Sequence, residues 1–372
     1  MSLFVLGAQE RLGENKLIKI GQTINWQRFE KYFKGFYKKE IEDKGGKRPY
    51  DVIKMFKAII LGQWYSLSDP ELEESLRVRL DFMLFTGFEL GEDLPDETTL
   101  CRFRNRIMAN GVDKKALEEL NNQLEKLGLK IKKCMGAIID ATIIASASRA
   151  NRIIEIEEEK VLEEEQEEEE KKELEVQESA DRDARWLKKG KKSYFGYRGY
   201  VRTDEGDGYI ETVEVRPANE SEIKMLEKMA EGSKAKRVYA DKGFASKENR
   251  KGLKRMGYRD GIMEKAYRGK ELTGWQKLKN RLISMKRFVV ERTFGTLKRQ
   301  FKIGRASYRE RWRVEGQMTL KAAFCYNLHK AGNIMSKGLK RDEIRMKIKK
   351  KIEKNMSRRI DFWQNALKKY SS

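Results

Sequence analysis

Apolar and polar positions follow two different rhythms along the chain. Between residues 50 and 130 the rhythm is helical. Val52, Met55, Phe56, Ile59 and Ile60 recur at the spacing of one helix face. Ser68-Asp69-Pro70-Glu71 supplies an N-cap and an N1 proline, predicting a helix over 70–80. Pro95-Asp96-Glu97 starts another. There Leu100, Phe103 and Ile107 share one face, and Thr98, Arg102, Asn105 and Arg106 lie opposite. An apolar back with such a front suits entry into a DNA groove. An ordinary solvated face is the alternative.

From 136 the rhythm shortens. Gly136-Ala137-Ile138-Ile139-Asp140 reads as a buried strand ending in a carboxylate. Residues 193–201 and 209–215 alternate around a glycine-containing turn at 204–208, predicting a hairpin. A capped helix is expected over 219–230. Arg237-Val238-Tyr239-Ala240-Asp241 is a second short strand ending in a carboxylate. A helix over 246–256, a strand over 258–263 and a long helix over 273–301 complete the order β, β, β, α, β, α, β, α. The chain has only 4 Pro, so long helices are permitted almost everywhere.

Composition narrows the chemistry. The net charge is +22, which favours a polyanionic partner, nucleic acid or an anionic membrane. The longest apolar runs are far too short to span a bilayer, and residues 1–7 lack the basic start of a signal peptide. Cys101, Cys134 and Cys325 match neither a disulfide framework nor a zinc pattern. His329 is the only histidine, so hydrolytic chemistry falls to carboxylates with a metal. These features predict a cytoplasmic nucleic-acid-binding protein. Residues 155–178 hold 14 Glu and 3 Lys. They read either as a surface excursion or as an acidic element shielding the basic surface when DNA is absent. The lysine- and arginine-rich tail reads as a basic helix lying on DNA or as a solubilising tail.

The candidate chemistry centres on Arg287-x3-Glu291-x6-Lys298. On a helix these three residues fall close to one line, with a carboxylate between two cations. The carboxylate suits a divalent metal and the cations suit flanking phosphates. A solvated Arg–Glu pair is the plainer alternative. If the first and fourth strands lie side by side, Asp140 and Asp241 meet, and the last helix can bring Glu291 above them. Three carboxylates repel each other until hard cations bind between them. The expected metals are Mg²⁺ or Mn²⁺, two ions, with Asp140, Asp241 and Glu291 as both ligands and catalytic residues.

These motifs resemble those of bacterial insertion-sequence transposases with a DDE triad, of the insertion-sequence-five type. Arg287-x3-Glu291-x6-Lys298 is similar to the family signature Tyr-x2-Arg-x3-Glu-x6-Lys. Ile139-Asp140-Ala141-Thr142 and Ala240-Asp241-Lys242-Gly243-Phe244 resemble the first and second Asp motifs. Residues 183–186 and 191–197 resemble the segment before the second strand, and 66–72 with 95–104 resemble the amino-terminal domain. One departure is clear: Ser284 stands where the signature has Tyr.

The resemblance implies an α/β ribonuclease H-like core, a mixed five-stranded sheet flanked by helices. It comes with an all-α amino-terminal domain and a basic helical tail. The expected partition is a DNA-binding domain over 1–132, a catalytic domain over 133–332 with an acidic insertion at 155–185, and a tail over 333–372. The implied function is cleavage at transposon ends and strand transfer into target DNA. The implied partners are double-stranded DNA, as terminal inverted repeats and target, and further copies of the chain in a homodimer or higher oligomer. A bacterial or archaeal, nucleoid-associated location follows. Arg287, Lys298, Thr98, Arg102, Arg106 and Lys242 are the expected DNA-binding residues. Two other readings stay open: a transposase-derived regulatory DNA-binding protein, and a ribonuclease H-like nuclease.

Overall fold

The computed structural model describes residues 7, 15–36, 48–131, 135–150, 178–267 and 269–336, and the backbone of 152–156 and 173–177. Helices fill the amino-terminal part: Lys16–Thr23, Val52–Tyr65, Asp69–Val78, Leu80–Thr86, Glu97–Ala109 and Val112–Lys126, with a 3₁₀ segment at Trp26–Phe33. Local capping chemistry sets their starts. Ser68 Oγ accepts from the Glu71 amide, and the Glu71 carboxylate accepts from the Ser68 amide at 2.7 Å, with Pro70 in the first turn. Asp96 caps the Glu97–Ala109 helix by accepting from the Thr99 amide at 2.6 Å.

An aromatic cluster joins these helices to the carboxy-terminal ones. Phe56 packs edge-on against Phe324 with centroids 5.6 Å apart, and Trp26, Phe29 and Phe33 close around them. Each such ring contributes about 1.5–3 kcal/mol of transfer free energy when fully buried. Arg311–Gln317, the π-helical Met318–Cys325 and Tyr326–Ser336 therefore share one core with the amino-terminal helices.

The remainder is built on strands β1 (Gly136–Ala145), β2 (Arg152–Ile156), β3 (Glu173–Gln177), β4 (Arg185–Lys189), β5 (Lys192–Asp204), β6 (Ile210–Pro217), β7 (Arg237–Ala240) and β8 (Arg259–Ile262). The main sheet is mixed, in the order β4-β5-β1-β7-β8, with β6 also paired to β5. β1 runs antiparallel to β5 and parallel to β7, and β7 runs parallel to β8. The helix Lys247–Arg255 makes the crossover that a parallel β7–β8 pair requires. Helices flank this sheet, and Gly274–Gln300 packs against β1 and β7.

Several elements differ from the sequence expectation. Asp140 does not end its strand: β1 continues to Ala145 because Ala141–Ala145 pair with Gly196–Tyr200 of β5. The helix expected over 219–230 begins later, as a 3₁₀ turn Glu222–Met225 capped by Ser221 and then Leu226–Ala230. Residues 155–156 and 173–177, placed in the acidic segment, lie in the β2–β3 pair. Residues 157–172 and 337–372, which include most of the acidic segment and of the basic tail, lie outside the described residues.

The β5–β6 turn fixes the long helix. Asp204 Oδ1 accepts from the amides of Gly206, Asp207 and Gly208, and Oδ2 accepts from Tyr209. Gly208 has φ +74°, and a Cβ there would sit 2.7 Å from Val289 Cγ1. Only glycine allows the helix to approach this closely. Thr293 Oγ1 then donates to Gly208 O at 3.4 Å and lies 3.1 Å from the Tyr326 hydroxyl.

Candidate active site

Strand register places the first two carboxylates. Ile139 on β1 pairs with Ala240 on β7, so the next residues of two parallel strands are Asp140 and Asp241. Buried Ile139, Val238, Ala240 and Ile262 form the floor behind them. Asp140 Oδ1 accepts from the Ala141 amide at 2.9 Å. Asp241 follows directly on β7, accepts from the Lys242 amide at 2.6 Å, and caps the turn Lys242–Phe244.

The long helix supplies a cation to both. Its buried face reads Ile283, Arg287, Val290, Phe294 and Leu297, spaced by 4, 3, 4 and 3 residues. This is the stripe by which a helix seats on a sheet. Arg287 occupies one position of that stripe and is only 8% exposed. Its Nη2 lies 2.7 Å from Asp140 Oδ2 and its Nη1 lies 3.6 Å from Asp241 Oδ1. Nη1 also meets Met263 Sδ at 3.7 Å. Burial raises the Asp140 pKa above the ordinary carboxylate value, and the Arg287 charge is the largest opposing influence.

Glu291 lies one turn further along the helix and is exposed. The two positions are about 40° apart around the helix, enough to put Arg287 inside the buried stripe and Glu291 outside it. Among the described residues, no group of three or more His, Cys, Asp or Glu side chains is placed to hold a metal ion. The structure thus brings Asp140 and Asp241 together under Arg287 and leaves Glu291 at the rim. The expectation for Arg287 was a solvent-facing phosphate grip beside Glu291. The structure turns it inward, and the 4-3-4-3 apolar stripe around it is the sequence signal for that placement.

Lys298, Lys242 and Arg102 are exposed. Thr98 is exposed and donates to its own N-cap, Asp96, at 2.8 Å. Arg106 is exposed but donates from Nη1 to the carbonyl of Phe36. Arg104, between these side chains in sequence, is buried against Asp69 and stacked on Tyr308. Sequence reasoning missed Glu264, just beyond β8. It accepts from Arg250 at 2.9 Å and from Lys279 at 2.6 Å, tying the first turns of the long helix to the sheet.

Two carboxylates on adjoining strands, one within β1 and one just past β7, are oxygen donors of the kind that hard divalent ions take. One of them is buried enough to need a positive partner, which Arg287 supplies here. The donor set fits a divalent ion at Asp140 and Asp241.

Residues 135–328 match the family described as "Transposase DDE domain", and residues 5–106 match "Transposase domain (DUF772)". The chain is 42% identical over 237 residues to a transposase for insertion sequence element IS1106 from Neisseria meningitidis serogroup B, covering 63% of this chain and 78% of that protein. Among solved structures, a piggyBac transposase synaptic complex with hairpin DNA aligns at TM-score 0.39 and 13% identity, covering 88% of this chain and 76% of that one. A Mos1 transposase paired-end complex aligns at TM-score 0.18 and 11% identity, covering 82% and 86%.

Proposed function

The chain belongs to the transposase DDE family and is a DNA transposase, and on that premise we propose that Asp140, Asp241 and Glu291 are its catalytic carboxylates. The observation that carries the proposal is the β1–β7 register, which sets Asp140 beside Asp241 under one guanidinium. The mixed, helix-flanked sheet is read as a ribonuclease H-like core. The domains run 1–132, 133–332 and 333–372, with the first binding DNA.

The family uses divalent metal ions; when bound, Mg²⁺ or Mn²⁺, as two ions, would activate a water or a 3′-hydroxyl and neutralise charge on the leaving oxygen. Asp140 and Asp241 would hold those ions, with Glu291, on the rim, as the third ligand. Arg287 orients both aspartates, and its charge opposes the upward shift that burial gives Asp140. Lys298, Lys242, Arg102, Thr98 and Arg106 contact DNA, with the exposed cations on phosphates. The DNA substrates are the inverted repeats at the element ends and the target duplex, bound by a dimer or higher oligomer. Among the described residues no helix is long and apolar enough to cross a membrane. The proposed location is the cytoplasm, at the nucleoid.

The test is a Mg²⁺ reaction containing a linear fragment with the element's inverted repeats and a supercoiled target plasmid. Products joined to the plasmid support transposition. Ends that are cut but never joined would indicate a nuclease. DNA bound without any cleavage would indicate a regulatory protein.

A further inference from the structure

The β4–β5 hairpin carries a surface that the catalytic centre does not use. β4 pairs only with the first residues of β5, beyond the end of β1, so this hairpin projects from the sheet. Its base is anchored. Asp181 is buried, accepts from Ser146 Oγ and from the Tyr197 hydroxyl, and receives the Glu310 amide at 3.2 Å. The Arg311 amide donates to Asp183 at 2.8 Å.

The tip has a different character. Lys188, Lys189, Lys191 and Lys192 surround Gly190, which turns the chain at φ +62°, and all are exposed. Lys189 lies directly opposite Lys192 in the ladder. Like charges in that relation destabilise a hairpin. Lysines on an edge strand also discourage strand pairing, but that role does not explain an aromatic side chain left exposed two residues before them on β4. Trp186 is 52% exposed and leans on Phe195 with centroids 5.5 Å apart. The two rings line an open cavity of about 510 Å³ whose other walls include Arg182 and Arg185 and the carboxylates Glu178 and Asp181. Arg185 is held in place by donating from Nη1 to the carbonyls of Arg182 and Ala184, at 2.6 and 2.8 Å.

We propose that this hairpin is a second DNA-contacting element, with its four lysines on phosphates and Trp186 stacking on an unpaired base in the adjoining cavity. Exposed cations that can track a backbone, next to an exposed ring on which a base can stack, are the arrangement that holds single-stranded or unpaired nucleotides. The inference rests on the chain being a DNA transposase. It also has a length. Val201 lies opposite Asp140, and Lys192 is nine residue steps back along β5 from Val201. At roughly 3.3 Å per residue this is at most about 30 Å, or about nine base pairs of B-DNA. The hairpin contact therefore falls within about one helical turn of the scissile phosphate.

The test uses the full chain and two probes, a duplex carrying the element's inverted repeat and a single-stranded oligo(dT). Changing Lys188, Lys189, Lys191 and Lys192 together to Gln should flatten the plot of log affinity against log salt for the duplex. The slope should fall by about 0.9 for each phosphate that is no longer neutralised, up to about 3.6 for four. Trp186→Ala should weaken oligo(dT) binding about 5- to 150-fold, and Trp186→Tyr should restore most of it. An unchanged slope together with unchanged oligo(dT) affinity overturns the inference while the parent still binds DNA. A parent chain that binds neither probe overturns the DNA-binding reading as well.

Discussion

Arg287 reaches from the long helix to Asp140 in the middle of β1, Nη2 to Oδ2 at 2.7 Å, and so joins the helix that carries Glu291 to the strand that carries the first aspartate. The same guanidinium touches Asp241. One buried cation thus holds two carboxylates that would otherwise repel each other.

Removing that cation leaves the half-buried Asp140 carboxylate without a counter-charge. Loss of one member of a buried ion pair costs about 3–5 kcal/mol. Arg287→Ala should lower the urea midpoint markedly in EDTA, and Mg²⁺ should restore more stability to this variant than to the parent. Equal midpoints for the two proteins in EDTA would contradict the structural role given to Arg287.

Asp113, only 2% exposed near the start of the Val112–Lys126 helix, has its pKa pushed up to about 6, chiefly by burial. The folded chain therefore binds this proton more tightly than the unfolded chain. The associated stability is fully present below the ordinary Asp value and is lost as pH rises through about 6. Asp113→Asn should stabilise the protein at about pH 7.5 and change little at about pH 4. Urea titrations at both pH values check this; the same gain at each would rule it out.

His329 behaves in the opposite sense. Its Nδ1 lies 3.0 Å from Lys16 Nζ. Burial, with the charges of Lys16 and Lys330, lowers its pKa to about 4. The stability tied to the neutral ring is present above about 6.5 and is lost as pH falls through about 4. Because the chain has one histidine, a single imidazole resonance reports it in NMR. That resonance should stay at its neutral position at about pH 5.5; a midpoint near 6.5 would contradict the buried placement of the ring beside Lys16.

DNA affinity should fall steeply with salt, by roughly one log unit per log of salt for each phosphate contact. The net charge of +22 predicts several such contacts. A flat salt profile would separate the charge from DNA binding.

Much of the core was legible because it is written in local chemistry. The strands flanking the Asp204 turn, the long helix from 273 and the short apolar runs that lead into Asp140 and Asp241 all follow from patterns a few residues long. Two features were not. The continuation of β1 past Asp140 depends on partners in β5 more than fifty residues away. The inward turn of Arg287 depends on whether an apolar stripe outranks a charge, and Ile283, Val290, Phe294 and Leu297 decide that by packing on the sheet. Nor does β4 announce itself, because its lysine-rich sequence has no apolar alternation.

The most direct measurement compares the parent with Asp140→Asn and Glu291→Gln in one Mg²⁺ cleavage assay on inverted-repeat DNA, with binding measured alongside. Both variants should bind the DNA as the parent does and should lose strand cleavage. Normal cleavage by either one would contradict the carboxylate site.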